Sequence, residues 1–315
     1  MNITRRQAIM MTTAAAAAAA QAPPERYQLG CVGQILRSTP VDESLERIRR
    51  AGFRYLCPSR THAREQTFSP EMSATQRAAM KRKIQDAGLT PCISLGGFSA
   101  ELSRPDSLGK YLAELDLCAD FGIPVMVGGG PWYFQKFPNL PKRNTVWQKE
   151  VAEFYSALEK AVKHAESVKV TIALKPHTGI TSTAKACMEV VQRIVSPRLR
   201  ICWDAGNVSF YEGIYPDPDL PELAPQVAAV CIKDHLGGRA AGNFPVPGQG
   251  QIDHPAMFQT LFAAGFQGPM AVEKVEGQES GKLSAEALEQ RLTAAFQYLA
   301  PLLESTSRAV SSAAC

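Results

Sequence analysis

Eight short apolar runs, rich in β-branched residues, recur along the chain and are separated by longer segments of helical period. The runs are Gln28–Leu36, Arg54–Pro58, Pro91–Gly96, Pro124–Gly128, Val170–Lys175, Arg200–Asp204, Val227–Lys233 and Pro269–Lys274. A short apolar run bounded by turn residues reads as a strand buried on both faces. The helical segments are Asp42–Ala51, Ser73–Ala87, Ser107–Phe121, Asn144–Ser167, Ser182–Val195, Asp219–Leu223, His254–Ala264 and Ser284–Leu303. Gly52, Gly88 and Gly122 follow three of them, where a left-handed residue stops a helix. Strands alternating with helices call for a parallel sheet, because parallel neighbours need crossover connections. Eight repeats between residues 27 and 303 predict a (β/α)8 barrel (TIM barrel) in a single domain. A dinucleotide-binding fold is not predicted. No Gly-x-Gly-x-x-Gly follows the first run, and Gly128-Gly129-Gly130 leads into Pro131 and a long loop.

The first 22 residues stand outside this pattern. Arg5-Arg6 precedes an uncharged, alanine-rich stretch from Ala8 to Ala20 and then Pro23-Pro24. A paired arginine ahead of a weakly apolar run predicts a twin-arginine signal over residues 1–22, with the barrel in residues 23–315. It implies the twin-arginine export machinery as a partner and a periplasmic or secreted location. The alanine-rich run is too short and too weakly apolar to span a bilayer, and no later segment is long and apolar enough.

Of the formal charge of +4, Arg5 and Arg6 supply half, leaving 32 basic against 30 acidic residues beyond them. So small an excess gives no electrostatic footprint for nucleic acid. With 45% hydrophobic and 20% charged residues the chain is an ordinary globular one, not a disordered polymer. Eight cysteines could pair in an oxidising compartment. Cys31, Cys57, Cys92, Cys202 and Cys231 fall inside strand candidates, however, and are expected to be buried free thiols.

In a (β/α)8 barrel, chemistry sits at the carboxyl ends of the strands. Strand two ends in Ser59-Arg60-Thr61-His62, and strand four opens into a loop carrying Trp132-Tyr133-Phe134. Strand five ends Leu174-Lys175-Pro176-His177, strand six Trp203-Asp204-Ala205-Gly206-Asn207, and strand seven Cys231-Ile232-Lys233-Asp234-His235. Gly248-Gln249-Gly250-Gln251-Ile252-Asp253 follows, and strand eight carries Val272-Glu273.

These last segments resemble the xylose-isomerase-like barrel superfamily of sugar and sugar-phosphate isomerases and epimerases. That family typically shows Leu-Glu-x-His at strand five, an Asp before a Gly-His or similar at strand six, and His-x-Lys-Asp at strand seven. A Gly-x-Gly-x-Ile-Asp turn and a Val-Glu on strand eight complete its pattern. The resemblance covers residues 27–303 and implies an aldose–ketose isomerase or an epimerase with a small carbohydrate as substrate. It also implies a divalent metal held by Glu, Asp, His or Gln, and Glu. Asp204 and Glu273 match two of those metal ligands, and His177 matches the substrate-contacting histidine. Lys175 stands where the strand-five glutamate belongs, and Cys231 where the strand-seven histidine belongs. The catalytic candidates are therefore Glu273, Lys175 and His177. Asn207, Lys233, His235, Trp132, Arg60 and His62 are candidates for binding substrate.

A lysine ammonium ~4 Å from a divalent cation is repelled by on the order of 8 kcal/mol at an effective dielectric of ~20. Lys175 and a metal coexist only if the lysine turns away or is neutral. Without a metal, Lys175 would be a fixed positive charge between Asp204 and Glu273, its pKa held up by them. Plainer readings stand beside these: Asp204 in a salt bridge with Lys175 or Lys233, Lys233 and Asp234 neutralising each other, and aromatic residues that only cap the barrel mouth.

Three functions follow from this sequence. The first is proton transfer next to a carbonyl, with Glu273 as acid/base, Asp204 and His177 on substrate hydroxyls, and Lys175 or a metal polarising the oxygen; a keto-sugar lyase or hydratase is its close variant. The second is a non-catalytic sugar-binding descendant that lost the metal site. The third, a metal-dependent nuclease of the same superfamily, lacks both the ligands and the charge.

Overall fold

Seven of the eight apolar runs form strands in the structure, a computed structural model that describes residues 26–99, 101–104 and 106–313, while the third, Pro91–Gly96, gives only Pro91 to its strand and Ser94 to an isolated bridge. The segment predicted as an export signal lies outside the described residues. The barrel strands are β1 (Tyr27–Val32), β2 (Tyr55–Cys57), β3 (Thr90–Pro91), β4 (Val125–Gly128), β5 (Thr171–Leu174), β6 (Leu199–Trp203), β7 (Val227–Ile232) and β8 (Gly268–Val272). All are parallel and run β3-β2-β1-β8-β7-β6-β5-β4 across the sheet. A parallel bridge between Ser94 and Met126 joins the two ends and closes the ring. The predicted single-domain (β/α)8 barrel is the fold observed.

The helices are α1 (Val41–Arg50), α2 (Ala74–Asp86), α3 (Ser107–Asp120), α4 (Asn144–Val168), α5 (Ala184–Arg193), α6 (Ala205–Glu212), α7 (Leu220–Leu223), α8 (His254–Ala263) and α9 (Ala285–Ala313). α6 is absent from the sequence pattern because no loop separates it from β6. Asp204 ends the strand and caps the helix at once, its Oδ1 accepting from Asn207 N at 2.9 Å. α9 continues ten residues beyond the predicted end at Leu303, running through Pro301. The first strand is shorter than predicted. After Val32 the chain tightens into a 3-10 turn over Gly33–Leu36, which brings Gln34 to the barrel mouth. A Cβ at Gly33 would lie 3.3 Å from Ser59 N, so this turn approaches the strand-two loop closely.

The core has two layers. Inside the ring the side chains are small, with Cys57, Ala173, Cys202, Ala229, Cys231 and Ala271 among them. Larger residues such as Phe53, Phe154, Leu158 and Phe258 fill the space between strands and helices. The seven cysteines among the described residues are free and buried, matching their reading as small hydrophobes. Burial pushes the Cys92 and Cys118 thiols up to about 12, so both stay protonated near neutrality. Among the described residues, no helix is long and apolar enough to cross a membrane.

Candidate active site

Four adjacent strands each deliver one charged residue at the first position past the strand: Lys175 after β5, Asp204 after β6, Lys233 after β7 and Glu273 after β8. Their side chains converge over the small-residue interior. Lys175 Nζ donates to both Glu273 carboxylate oxygens at 2.8 Å and lies 3.5 Å from Asp204 Oδ2. Lys233 Nζ donates to Asn207 Oδ1 at 2.8 Å and lies 3.0 Å from both Asp204 Oδ2 and Glu273 Oε2. The Asp204 side chain is 0% exposed, those of Lys175 and Lys233 3% and 4%, and that of Glu273 15%. Two positive and two negative groups thus balance in a nearly dry space, the condition under which buried charge persists.

The directions of the pKa shifts follow from this packing. Burial works against the charge on Lys175, but the Glu273 and Asp204 carboxylates outweigh it and hold the ammonium well above the lysine range. Burial likewise opposes the charge on Lys233, where Asp204 and Glu273 raise its pKa. For Glu273, burial is overcome by the two lysines, which hold the carboxylate well below its usual range. Asp204 goes the other way: its complete burial pushes the carboxyl up against the pull of Lys233 and Lys175. Glu273 is the carboxylate that both ammonium groups serve best.

Asp204, Cys231 and Glu273 bring one potential ligand atom each within 4.8 Å of one another. That donor set nevertheless does not fit a divalent cation. Both carboxylates are already neutralised by ammonium groups in the place the cation would need. Cys231 is also engaged with Cys202, the two Sγ atoms lying 3.6 Å apart. The expected divalent metal is therefore at odds with these side chains.

A cavity of about 300 Å3 opens above the cluster, lined by Gln34, Arg60, Ser94, Phe98, Lys175, His177 and Glu273 among others. His177 is held between Phe98 and Tyr211, with ring centroids 4.9 and 5.3 Å away. Its Nδ1 faces the Lys175 carbonyl at 3.2 Å, which fixes the proton there and leaves Nε2 as an acceptor. Burial, followed by the Lys175 charge, lowers the His177 pKa to about 3, so the ring is neutral at physiological pH. Arg60 is anchored by Glu114, by Ser99 Oγ at 2.9 Å and by Ser69 Oγ at 3.2 Å.

Of the residues expected from sequence, Lys175, His177, Glu273 and Arg60 thus meet at one cavity. The others are placed differently. Asp204 is sealed beneath the lysines and does not reach a substrate hydroxyl. Lys233 donates to Asn207 and ion-pairs with Asp204 and Glu273, so it supports the site from behind. Asn207 is spent as well, its Nδ2 donating to Pro176 O at 2.7 Å and facing His177 Nε2 at 3.5 Å. His235 is fully buried, accepting from Ser209 Oγ at 2.8 Å and donating to Ala241 O at 2.7 Å. His62 is buried against Leu36 O at 3.3 Å, and Trp132 packs on Tyr211 and Phe137 away from the cavity wall.

Lys233 and Asp234 do not neutralise each other. Asp234 instead accepts backbone N–H groups from His235, Gly248 and Gly250 at 2.9 Å and from Ile252 at 3.0 Å. A Cβ at Gly250 would fall 2.2 Å from Asp234 Oδ1, so the Gly-x-Gly-x-Ile stretch is shaped to wrap this carboxylate. Gln34, Phe98 and Tyr211 were not foreseen as site residues. A polar Gln34 inside an apolar run was the one available sign that the strand ends before it. Tyr211 lies on the unpredicted α6 and gave none.

Residues 45–298 match a family profile described as the xylose isomerase-like TIM barrel. The chain is 26% identical over 243 residues to the L-ribulose-5-phosphate 3-epimerase of Shigella flexneri, covering 73% of this chain and 81% of that one. The crystal structure of a xylose isomerase domain protein from Planctomyces limnophilus superimposes with a TM-score of 0.68 at 17% identity, covering 90% of this chain and 99% of that one. D-psicose 3-epimerase from Clostridium cellulolyticum H10 does so with a TM-score of 0.67 at 15% identity, covering 88% and 99%. Likeness at that identity shows the shared fold.

Proposed function

The chain belongs to the xylose isomerase-like TIM barrel family, and from that premise we propose that it is a carbohydrate epimerase or isomerase. It moves a proton beside a substrate carbonyl and uses an ammonium group as its electrophile. The relatives it resembles include epimerases of ribulose phosphate and of ketohexoses. The observation that carries the reading is the pairing of Lys175 Nζ with both Glu273 oxygens at 2.8 Å in the cavity wall. Electrophile and base are there already in contact.

The chemistry balances on those two groups. Lys175 donates a hydrogen bond to the carbonyl oxygen while Glu273 takes the proton from the adjacent carbon. The electron pair of that C–H bond moves onto the oxygen as an enolate. Negative charge leaves Glu273 as it grows on the oxygen, and Lys175 transfers its ion pairing from one to the other. The lysines therefore interact with developing charge, which is how a fixed electrostatic group lowers a barrier. Neutral His177 accepts a substrate hydroxyl at Nε2, and Lys233, Asp204 and Asn207 hold the pair in place. Reprotonation on the opposite face by solvent, with Glu273 giving its proton up to solvent in turn, gives the epimer. Return of the proton by Glu273 to the former carbonyl carbon, with the neighbouring hydroxyl proton passing to the former carbonyl oxygen, gives the isomer.

A panel of ketoses incubated in deuterium oxide tests this. At least one is expected to gain a C–D bond next to its carbonyl, and Glu273→Gln should abolish the gain. Loss of water to an unsaturated product would assign the lyase variant. Saturable sugar binding with no exchange would support the non-catalytic reading.

We also propose that the protein is exported by the twin-arginine route, on the strength of Arg5-Arg6 and the alanine-rich stretch behind them. The Arg5→Lys, Arg6→Lys double variant should stay in the cytoplasm while the parent protein leaves it. Equal export of both would overturn the assignment.

A further inference from the structure

We propose that the substrate is a disaccharide, whose second sugar ring occupies a cavity next to the reacting one. This rests on the carbohydrate reading above and extends it to the size of the substrate. The second cavity measures about 320 Å3 against about 300 Å3 for the first, and the two share Val32, Gln34 and Glu273 as a common wall. Each is near the lower end of the range for small-ligand pockets. Two equal compartments on either side of Gln34 therefore suit two linked units of similar size.

The lining of the second cavity specifies the chemistry of its occupant. Arg37, Ser38 and Lys274 offer donors, Glu276 and Glu273 offer acceptors, and Gln34 offers both. Sugar hydroxyls donate and accept together, so they match a mixed set of this kind. A phosphate does not: two basic side chains face two carboxylates, leaving no positive excess, and Lys274 lies 3.9 Å from Glu276. No aromatic side chain lines this cavity, which removes the stacking surface that an aryl group would use. Glu273 stands between the compartments, so the ring beside Lys175 reacts while its linked neighbour is held on the far side of Gln34.

Titration calorimetry on the full-length protein, purified in folded form, tests the proposal with D-glucose and D-fructose against maltose, cellobiose, maltulose and lactulose. At least one disaccharide should bind about tenfold or more tightly than either monosaccharide. Ser280→Trp, at the exposed rim of the second cavity, should remove that advantage and leave monosaccharide binding as it was. The proposal fails if no disaccharide exceeds the monosaccharides, or if S280W weakens both kinds of ligand alike. Deuterium exchange on monosaccharides without any disaccharide advantage would sink this proposal and keep the proton-transfer reading. A disaccharide advantage sensitive to S280W, with no exchange, would do the reverse.

Discussion

Replacing Lys175 by methionine is expected to lower kcat/KM for solvent-deuterium exchange by about a hundred- to a thousandfold, the usual loss when one donor to a developing oxyanion is removed. Methionine keeps most of the length and apolar volume of the stem, so the barrel interior stays filled. What disappears is the ammonium that contacts both oxygens of Glu273 at 2.8 Å and borders the cavity. Glu273 would then keep Lys233 alone, and the carbonyl would lose the ammonium that polarises it. Because the contact is stronger to an enolate than to a ketone, the loss should fall mainly on kcat, with a smaller change in KM. Activity within about tenfold of the parent would show that the electrophile lies elsewhere.

Lys233→Met should act through stability. Lys233 borders neither cavity; it donates to Asn207 and ion-pairs with Asp204 and Glu273. Without it, the wholly buried Asp204 keeps only Lys175, at 3.5 Å. Breaking a buried charge cluster on one side costs on the order of 3–5 kcal/mol, which corresponds to a Tm lower by roughly 10 °C. The pH dependence gives a second readout. Glu273 is held well below the carboxylate range, so its stabilisation is complete above about pH 4.3, its unfolded value. That contribution is lost as pH falls from there through the folded value. With Lys233 gone the folded value rises toward the unfolded one, and this part of the acid dependence should flatten. Differential scanning calorimetry between pH 3 and 7 measures both effects. An unchanged Tm would mean that Lys233 is not the counter-ion of Asp204.

The fold and the strand-end residues that line the cavity were legible in the sequence because both follow from periodicity. Eight apolar runs separated by helical segments leave few alternatives to a closed parallel barrel, and Lys175, His177 and Glu273 lie at strand ends where such barrels hold their chemistry. The partners of each charge were less legible. Lys233 and Asp234 are adjacent in sequence, yet successive residues of an extended chain point to opposite sides. Lys233 therefore turns inward to Asp204, and Asp234 turns to the backbone of the loop at 248–252. The histidines show the same limit. His62 and His235 look like ligands until the Leu36 and Ala241 carbonyls that meet their rings are seen. Those carbonyls belong to segments distant in function, and no side-chain pattern announces them. Tyr211 and the helix that carries it were hidden because Asp204 serves as strand end and helix cap without an intervening turn.

Metal content measured on protein purified without chelator, together with its exchange rate before and after EDTA, bears most directly on the ammonium pair. Lys175 and Lys233 filling the cation's place predicts no stoichiometric divalent metal and an exchange rate that EDTA leaves unchanged. Lys175→Glu, which removes one ammonium and adds a carboxylate, should then acquire metal that the parent lacks. One equivalent of metal in the parent protein, with exchange lost on chelation and restored on adding it back, would contradict the replacement of the metal by lysine.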